Sequence, residues 1–394
     1  MTSILAPLAL TTSLLAAAPQ AAPQVAPAAP GPQSDSDARP AVEIAICLDI
    51  SGSMDGLIDS AKARLWSIVN DLATAKPTPT LRVALLTYGC DAYDSTTGWV
   101  VVDSGLTEDL DLISQKLFAL RTNGGTELVG RVVDKAAQTL SWNADPNALK
   151  IIVVAGNESA DQDQEIRYHQ ASKTSIEKGI LVNSIYCGNA TDEHASLWGD
   201  VARLADGQFL CIDQSTGAAV PETPFDKQLA ELSALVNTTY LACGIAGREA
   251  WANQAAQDAN AAGLSGGAAA QRAVSKSSAL YDNRGWDLVD GCAAGSLKLE
   301  DIKDEDLPEE MRGKSLDEKK AMVAAKQAER EKIQTDVQKL QQQRVAWLAA
   351  ESAKRATQQG QTLDDALKSA IRSQATQRGM QWDEPPAPST PPAP

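Results

Sequence analysis

The chain has 394 residues, of which 43% are hydrophobic, enough for two or more domains with a well-buried core. Its 51 acidic residues outnumber its 35 basic ones and give a formal net charge of −16. Nucleic acids and anionic membrane surfaces are bound through basic patches, so this balance argues against both as partners. Divalent cations and basic proteins fit the charge better.

The first 22 residues are typical of a secretory signal peptide. An apolar run at 4–18 is too short for a normal membrane-spanning helix, and small residues follow it. No Lys or Arg precedes the run, so an ordinary N-terminal tail is the alternative. Residues 23–40 are rich in Pro and Ala without an apolar period, which predicts a disordered linker. We therefore expect an exported protein of the periplasm or the extracellular space.

Residues 41–242 have the pattern of an α/β domain. Short apolar segments predict six strands, at 41–50, 80–89, 98–105, 149–156, 180–188 and 207–213. Amphipathic segments predict the helices that alternate with them, at 56–75, 107–120, 127–141, 162–178, 194–205 and 223–240. This alternation predicts a doubly wound, mostly parallel six-stranded sheet covered on both faces. In such a sheet a ligand site lies beyond the carboxyl ends of the strands.

The C-terminal third is predicted to be largely helical. Residues 243–314 read as a mixed linker region with a short ordered patch, and 381–394 as a Pro-rich disordered tail. Between them, 315–380 predicts a helical arm that begins with Ser315 as N-cap and Glu318 three residues later.

One face of this arm is apolar, with Arg344 interrupting it: Ile333, Val337, Leu340 and Trp347. Its 4-3-4-3 spacing makes a coiled coil possible but short. The face must be covered either by a second chain or by the protein's own domain. We expect self-association through these helices, and folding back is the alternative.

Six cysteines are present: Cys47, Cys90, Cys187, Cys211, Cys243 and Cys292. None forms a CxxC pair or lies at zinc-ligand spacing from a histidine. Export would permit disulfides, but their pairing cannot be read from the spacing. Cys47 lies inside an apolar strand, which indicates a small buried hydrophobic residue.

Oxygen-bearing side chains follow the first predicted strand. Asp49, Ser51 and Ser53 stand at alternate positions in "DISGS", and Thr126 follows two glycines in a second loop, "NGGTE". Hard divalent cations such as Mg²⁺ prefer oxygen ligands. Helix capping and turn formation explain each residue alone, but four oxygens from two strand-end loops favour a cation site.

These motifs resemble those of the von Willebrand factor A domain with its metal-ion-dependent adhesion site, in an exported bacterial form. In that family the two serines and the threonine bind Mg²⁺ or Mn²⁺, and the aspartate acts directly or through water. The resemblance therefore implies metal ligation by Ser51, Ser53, Thr126 and Asp49, with Mg²⁺, Mn²⁺ or Ca²⁺ as the cation. It also implies that a carboxylate of a partner protein completes the metal shell.

The third loop departs from the family pattern. An aspartate followed by glycine is expected after the fourth strand, but Gly156 and Asn157 occupy these positions. Glu158 is the nearest carboxylate and becomes the fifth candidate ligand. Because carboxylate number tunes cation affinity, we expect an aspartate at position 156 to tighten binding, provided that the loop has room for it.

We therefore expect a non-enzymatic module that binds or assembles proteins in a cation-dependent way. The chain contains no HExxH motif, G-x-S-x-G elbow or phosphate-binding loop. The alternative is a structural scaffold subunit of an envelope complex, in which the site has degenerated and is independent of metal.

Overall fold

Six strands form one sheet in the order β3-β2-β1-β4-β5-β6. Their bounds are Ala41–Asp49 for β1, Thr80–Tyr88 for β2, Val100–Thr107 for β3, Leu149–Gly156 for β4, Ile180–Tyr186 for β5 and Phe209–Cys211 for β6. Strand β3 runs antiparallel to β2, and every other neighbouring pair is parallel. The predicted doubly wound, mostly parallel sheet is confirmed.

The structure is a computed structural model that describes residues 39–212, 221–355 and 363–383. The expected signal peptide at 1–22 and most of the linker and tail lie outside these residues. None of the helices in the described ranges combines the length and apolarity that a membrane crossing requires.

The helices are α1 Asp55–Ala73, α2 Leu110–Ala119, α3 Val129–Thr139, α4 Tyr168–Glu177, α5 Ala195–Arg203, α6 Asp226–Asn237, α7 Gly244–Leu264, α8 Gly266–Lys276, α9 Leu288–Ala294, α10 Leu316–Arg355 and α11 Leu363–Thr376. Alternation along β1 builds two apolar cores. Ile44 and Leu48 face a core shared with α1, α2 and α11. Ala45 and the fully buried Cys47 face a core shared with α3, α4 and α5. Cys47, Cys90, Cys211, Cys243 and Cys292 form no disulfide within the described ranges.

Helix α11 is packed on the sheet, where α6 was expected to close the domain. It contacts α1 and β6, whereas α6 packs against α8 and α10. The side-chain amides of Asn183 on β5 and Gln374 on α11 form two buried hydrogen bonds, of 3.0 and 2.7 Å. Just beyond α11, Trp382 donates a hydrogen bond to the Asp71 carbonyl at 3.0 Å. The sheet domain is therefore completed by a helix from the far end of the chain.

Between β6 and α11 lies a set of packed helices, α6 to α10, which we call the helical insertion. The segment 243–314, expected to be a mixed linker, contains α7, α8 and α9. The glycine-rich stretch at 263–267 marks the break between α7 and α8. Ser265 there is extended, and its hydroxyl caps α8 by accepting a 3.0 Å hydrogen bond from the Ala268 amide.

The apolar face of α10 is covered by the chain's own helices. Ile333 and Val337 are buried in a cluster with Leu229 of α6 and Ala270 of α8. Arg344, read as an interruption of that face, is 3% exposed, and its Nε donates a 2.8 Å hydrogen bond to an Asp226 carboxylate. The helix folds back, as the alternative expected, so the uncovered face that favoured association does not exist. Self-association itself stays a prediction.

Candidate cation site at the sheet edge

The two loops that carry the motif residues meet at the carboxyl end of the sheet. Backbone hydrogen bonds run from Ile50 N–H to the Tyr88 carbonyl at 2.9 Å and from Asn123 N–H to the Ile50 carbonyl at 3.0 Å. A third runs from Asp91 N–H to the Gly124 carbonyl at 2.7 Å. The loop after β1 is thereby joined to the loop after β2 and to the "NGGTE" loop, as the sequence predicted.

Two glycines permit this close approach. Gly89 has a φ of +77°, and a Cβ there would lie 2.6 Å from Asp49 Oδ1. A Cβ on Gly125 would collide with the backbone of Gly89. Only residues without a side chain fit at either position, so the glycines bring the loop of Thr126 against the Asp49 carboxylate.

Asp49 and Ser51 place two unpaired oxygens in this edge. Asp49 is fully buried, and its Oδ1 accepts a 2.7 Å hydrogen bond from Ser51 N–H. In the described part of the chain, neither Asp49 Oδ2 nor Ser51 Oγ has a hydrogen-bond partner, although both are buried. Leaving a buried polar atom unpaired costs about 1–3 kcal/mol. A bound cation would pair both oxygens at once, so these residues fit a hard divalent ion.

Negative charge accumulates around Asp49. Burial, together with the charges of Glu127 and Glu158, raises the pKa of its carboxyl to about 7, while the hydrogen bond from the Ser51 backbone amide opposes the shift. An ionised Asp49 is therefore unfavourable unless a positive ion neutralises it.

Ser53 and Thr126 lie closer to solvent. Ser53 is exposed, and its hydroxyl accepts a 3.0 Å hydrogen bond from the Asn157 amide. Thr126 is partly buried in the loop that Gly125 holds against Gly89. The arrangement thus combines buried oxygens with hydroxyls near the surface, where a partner has access.

Gly156 has no space for a side chain. A Cβ there would lie 2.6 Å from the Tyr88 hydroxyl, 3.1 Å from the Trp198 ring and 3.2 Å from Asp49 Oδ2. The Tyr88 hydroxyl also donates a 2.9 Å hydrogen bond to the Ala155 carbonyl. The expectation that an aspartate at position 156 would tighten cation binding was conditional on room in the loop, and the Tyr88 hydroxyl already fills that room.

Glu158 is exposed, and its backbone carbonyl accepts a 2.8 Å hydrogen bond from the Trp198 indole. Its place among the cation ligands stays a prediction. Sequence reasoning missed Tyr88, which read only as the end of a strand, and Glu127, which read as the first residue of a helix. The signal for Glu127 was its position directly after Thr126.

Within the described ranges, no three His, Cys, Asp or Glu side chains form a group that could hold a metal ion. The candidate ligands at this edge instead mix a carboxylate with hydroxyl oxygens, which suits a cation that prefers oxygen and retains some waters, such as Mg²⁺.

Three solved structures illustrate what the chain is similar to. A von Willebrand factor type A protein from Catenulispora acidiphila is 19% identical, with 45% of this chain and 40% of that chain covered and a TM-score of 0.35. Proximal thread matrix protein 1 from the mussel byssus, with a zinc-occupied MIDAS motif, is 13% identical, with coverages of 45% and 43% and a TM-score of 0.34. The SpRpn10 VWA domain is 14% identical, with coverages of 46% and 99% and a TM-score of 0.34.

This chain covers less than half of the bacterial and mussel structures, and at these TM-scores the likenesses do not inform function. No curated protein sequence matches the chain significantly. The model of one family, described as von Willebrand factor type A domain, matches residues 43–198, which span β1 to α5 and all the candidate ligands. This part of the chain therefore matches the von Willebrand factor type A model and has the doubly wound fold of that domain.

Proposed function

We propose that the protein binds a protein partner through a divalent cation, Mg²⁺ or a similar ion, held by Asp49, Ser51, Ser53 and Thr126. The observation that carries the proposal is the pair of buried oxygens, Asp49 Oδ2 and Ser51 Oγ, that lack partners among the described residues. The cation would supply a Lewis-acidic position that accepts a carboxylate from the partner.

The family supports a binding role, because von Willebrand factor type A domains are generally interaction modules and typically not enzymes. Asp49 is buried and holds the base of the site, where it orients Ser51 through the backbone hydrogen bond. The hydroxyls of Ser53 and Thr126 lie nearer the surface, on the side from which a partner approaches. This division predicts that all four residues contribute to cation affinity, and that Ser53 and Thr126 also lie where a partner meets the cation.

A metal-independent scaffold subunit is the second candidate, and one contact favours it. The Asn157 amide already donates a hydrogen bond to the Ser53 hydroxyl, and Gly156 brings no carboxylate. In this alternative the hydrogen bond replaces the cation and fixes the loops directly. The two candidates differ in whether a cation binds at all.

Calorimetric titration of the full chain with Mg²⁺ and with Mn²⁺ separates them. We expect one saturable site per chain, and at least a tenfold weaker affinity in Ser53→Ala and in Thr126→Ala, since each variant removes one ligand oxygen. Ser141→Ala is the matched control, because this exposed serine precedes β4 at the opposite edge of the sheet. Equal binding by wild type and both site variants, or no binding at all, would support the scaffold instead.

Export to the periplasm or the extracellular space completes the proposal and rests on residues 1–22 alone. Expression of the full gene product with N-terminal sequencing of the mature protein tests it. We expect the mature chain to begin within the Pro- and Ala-rich segment 19–40. An uncleaved protein in the cytoplasmic fraction would contradict export.

A further inference from the structure

We propose that Glu127 supplies the second carboxylate of the cation site, in place of the third-loop carboxylate that Gly156 cannot provide. The inference rests on the proposed function, since it assigns a ligand to the same site. It differs from the sequence-based expectation, which gave this role to Glu158.

The first argument is the position of Glu127 against Asp49. A point 2.6 Å from Asp49 Oδ1 lies only 3.1 Å from Glu127 Cγ, and that point is where a Cβ of Gly89 would be. Both acidic side chains therefore pack close to Gly89, which has no side chain to separate them. A cation bound beside them would have both carboxylates near it.

The second argument is that two residues close to Glu127 carry unpaired oxygens. Asp49 Oδ2 and Ser51 Oγ are both buried and have no hydrogen-bond partner in the ranges that the structure describes. Glu127 is itself partly buried, and its Oε2 accepts a 3.3 Å hydrogen bond from the Gln162 amide. This contact uses one carboxylate oxygen and positions the side chain.

The third argument concerns Glu158, the competing carboxylate. Its side chain is exposed, and the Trp198 indole holds its backbone carbonyl at 2.8 Å. Trp198 is fully buried, so this hydrogen bond fixes the loop with Glu158 at the surface. Water screens an exposed carboxylate and weakens its attraction for a cation, whereas a partly buried one acts at lower dielectric.

A consequence follows for the order of binding. Asp49 and Glu127 together carry two negative charges, which balance one divalent cation without a partner. The cation is then bound before the partner arrives, and the partner's carboxylate joins a site that is already charge-neutral.

The test compares Glu127→Gln with Glu158→Gln in the full chain. Each change removes one negative charge, from a partly buried side chain at 127 and from an exposed one at 158. In Mg²⁺ titration calorimetry we expect Glu127→Gln to raise the dissociation constant at least tenfold and Glu158→Gln to change it less than threefold. Glu127→Asp, which keeps the charge on a shorter side chain, should fall between wild type and Glu127→Gln. Thermal unfolding in EDTA establishes that each variant is folded.

Three outcomes overturn one or both proposals. If wild type binds Mg²⁺ and Ser53→Ala does not, but Glu127→Gln binds as wild type does, Glu127 is not a ligand and the proposed function stands. If Glu158→Gln loses as much affinity as Glu127→Gln, the assignment of the second carboxylate to Glu127 in place of Glu158 fails, and the proposed function again stands. If wild type binds neither Mg²⁺ nor Mn²⁺, the proposed function fails and this inference fails with it.

Discussion

The sheet domain and the helical insertion bury different kinds of side chain. The two faces of the sheet are covered by Val, Ile, Leu and Ala. The insertion has smaller apolar clusters and buries basic side chains that are almost completely inaccessible to solvent: Arg272, Lys276, Arg330 and Arg344. Each is paired with a carboxylate. The comparison teaches that one chain can use apolar burial in one region and paired charges in the next.

One ion-pair network links the two regions. Asp258 on α7 accepts from Arg272 at 2.9 Å and from Lys276 at 2.6 Å. Arg272 also pairs with Asp111 of α2 at 2.6 Å, and its guanidinium lies 4.4 Å from the ring centre of Trp66 on α1. The insertion is therefore attached to the sheet domain by charges, which tolerate the loss of a partner poorly.

Removal of α11 should lower the stability of the sheet domain more than any other change, because this helix packs on the sheet although it follows the insertion in sequence. Truncation after residue 355 removes Leu367, Ile371 and Met380, which are buried in the sheet core, and exposes the apolar surface that they cover. Each is worth roughly 1.5–3 kcal/mol, so we expect a loss near the whole stability of a domain. Urea unfolding measures the loss, and Gln377→Ala at an exposed position is the control.

Light scattering on the same truncated protein tests self-association. The sequence predicted self-association, whereas the covered face of α10 predicts a monomeric full chain, and the measured mass decides between the two. An oligomer that becomes a monomer on truncation, with its urea midpoint unchanged, would show instead that these helices serve association.

Asp258→Ala should cost about 3–5 kcal/mol of unfolding free energy, because it leaves the buried Arg272 and Lys276 without their shared carboxylate. Asp200→Ala provides the matched control, since its pair with Arg203 is largely exposed and should contribute about 0–1 kcal/mol. Chemical denaturation compares the two variants. Equal small effects would mean that the insertion does not depend on its buried charges.

Gly156→Ala tests whether packing, rather than charge, determines stability inside the sheet domain. The new methyl meets the Tyr88 hydroxyl and the Trp198 ring, so we expect a loss of about 1–3 kcal/mol. In the background of Tyr88→Phe, which removes the hydroxyl, the same change should cost less. A double-mutant cycle that finds the two effects additive would mean that Tyr88 does not fill the space at position 156.

The effect of pH on the cation-free protein tests the buried charge at the sheet edge. Because burial raises the pKa of Asp49 to about 7 from 3.8, the folded state holds its proton more tightly than the unfolded state. Its contribution to stability is therefore complete below about pH 4 and lost as the pH rises to about 7. Thermal unfolding across this range should show a decline in wild type that is smaller in Asp49→Asn. Parallel curves for wild type and Asp49→Asn would contradict a buried Asp49 carboxyl with a raised pKa.

The sheet could be predicted because β1 alternates between its two cores, with Ile44 and Leu48 on one face and Ala45 and Cys47 on the other. The place of the loop after β1 could be predicted because ligand sites in such a sheet lie beyond the strand ends, whereas the "NGGTE" loop lies between α2 and α3 and reaches that edge through backbone hydrogen bonds. The burial of Arg344 could not be predicted, since its partner Asp226 lies far away in sequence and only the fold brings the two together.

The same limit applies to α11 and to Gly156. Nothing local in Leu367 or Ile371 shows that they pack on a sheet whose last strand ends at Cys211. From the sequence, Gly156 was interpreted as the loss of a carboxylate. The space beside it is filled by the hydroxyl of Tyr88, which lies on another strand and is far away in sequence. Sequence periodicity predicts elements and their order, but not which distant side chain occupies a given space.

The most direct test of the cation site is a crystal structure of the full chain grown with Mn²⁺, with anomalous scattering used to locate the ion. The account predicts one strong peak at the carboxyl edge of the sheet, bounded by Asp49, Ser51, Ser53 and Thr126. A well-ordered edge without a peak, or with the Asn157 amide still bonded to Ser53 and the ion elsewhere, would contradict it.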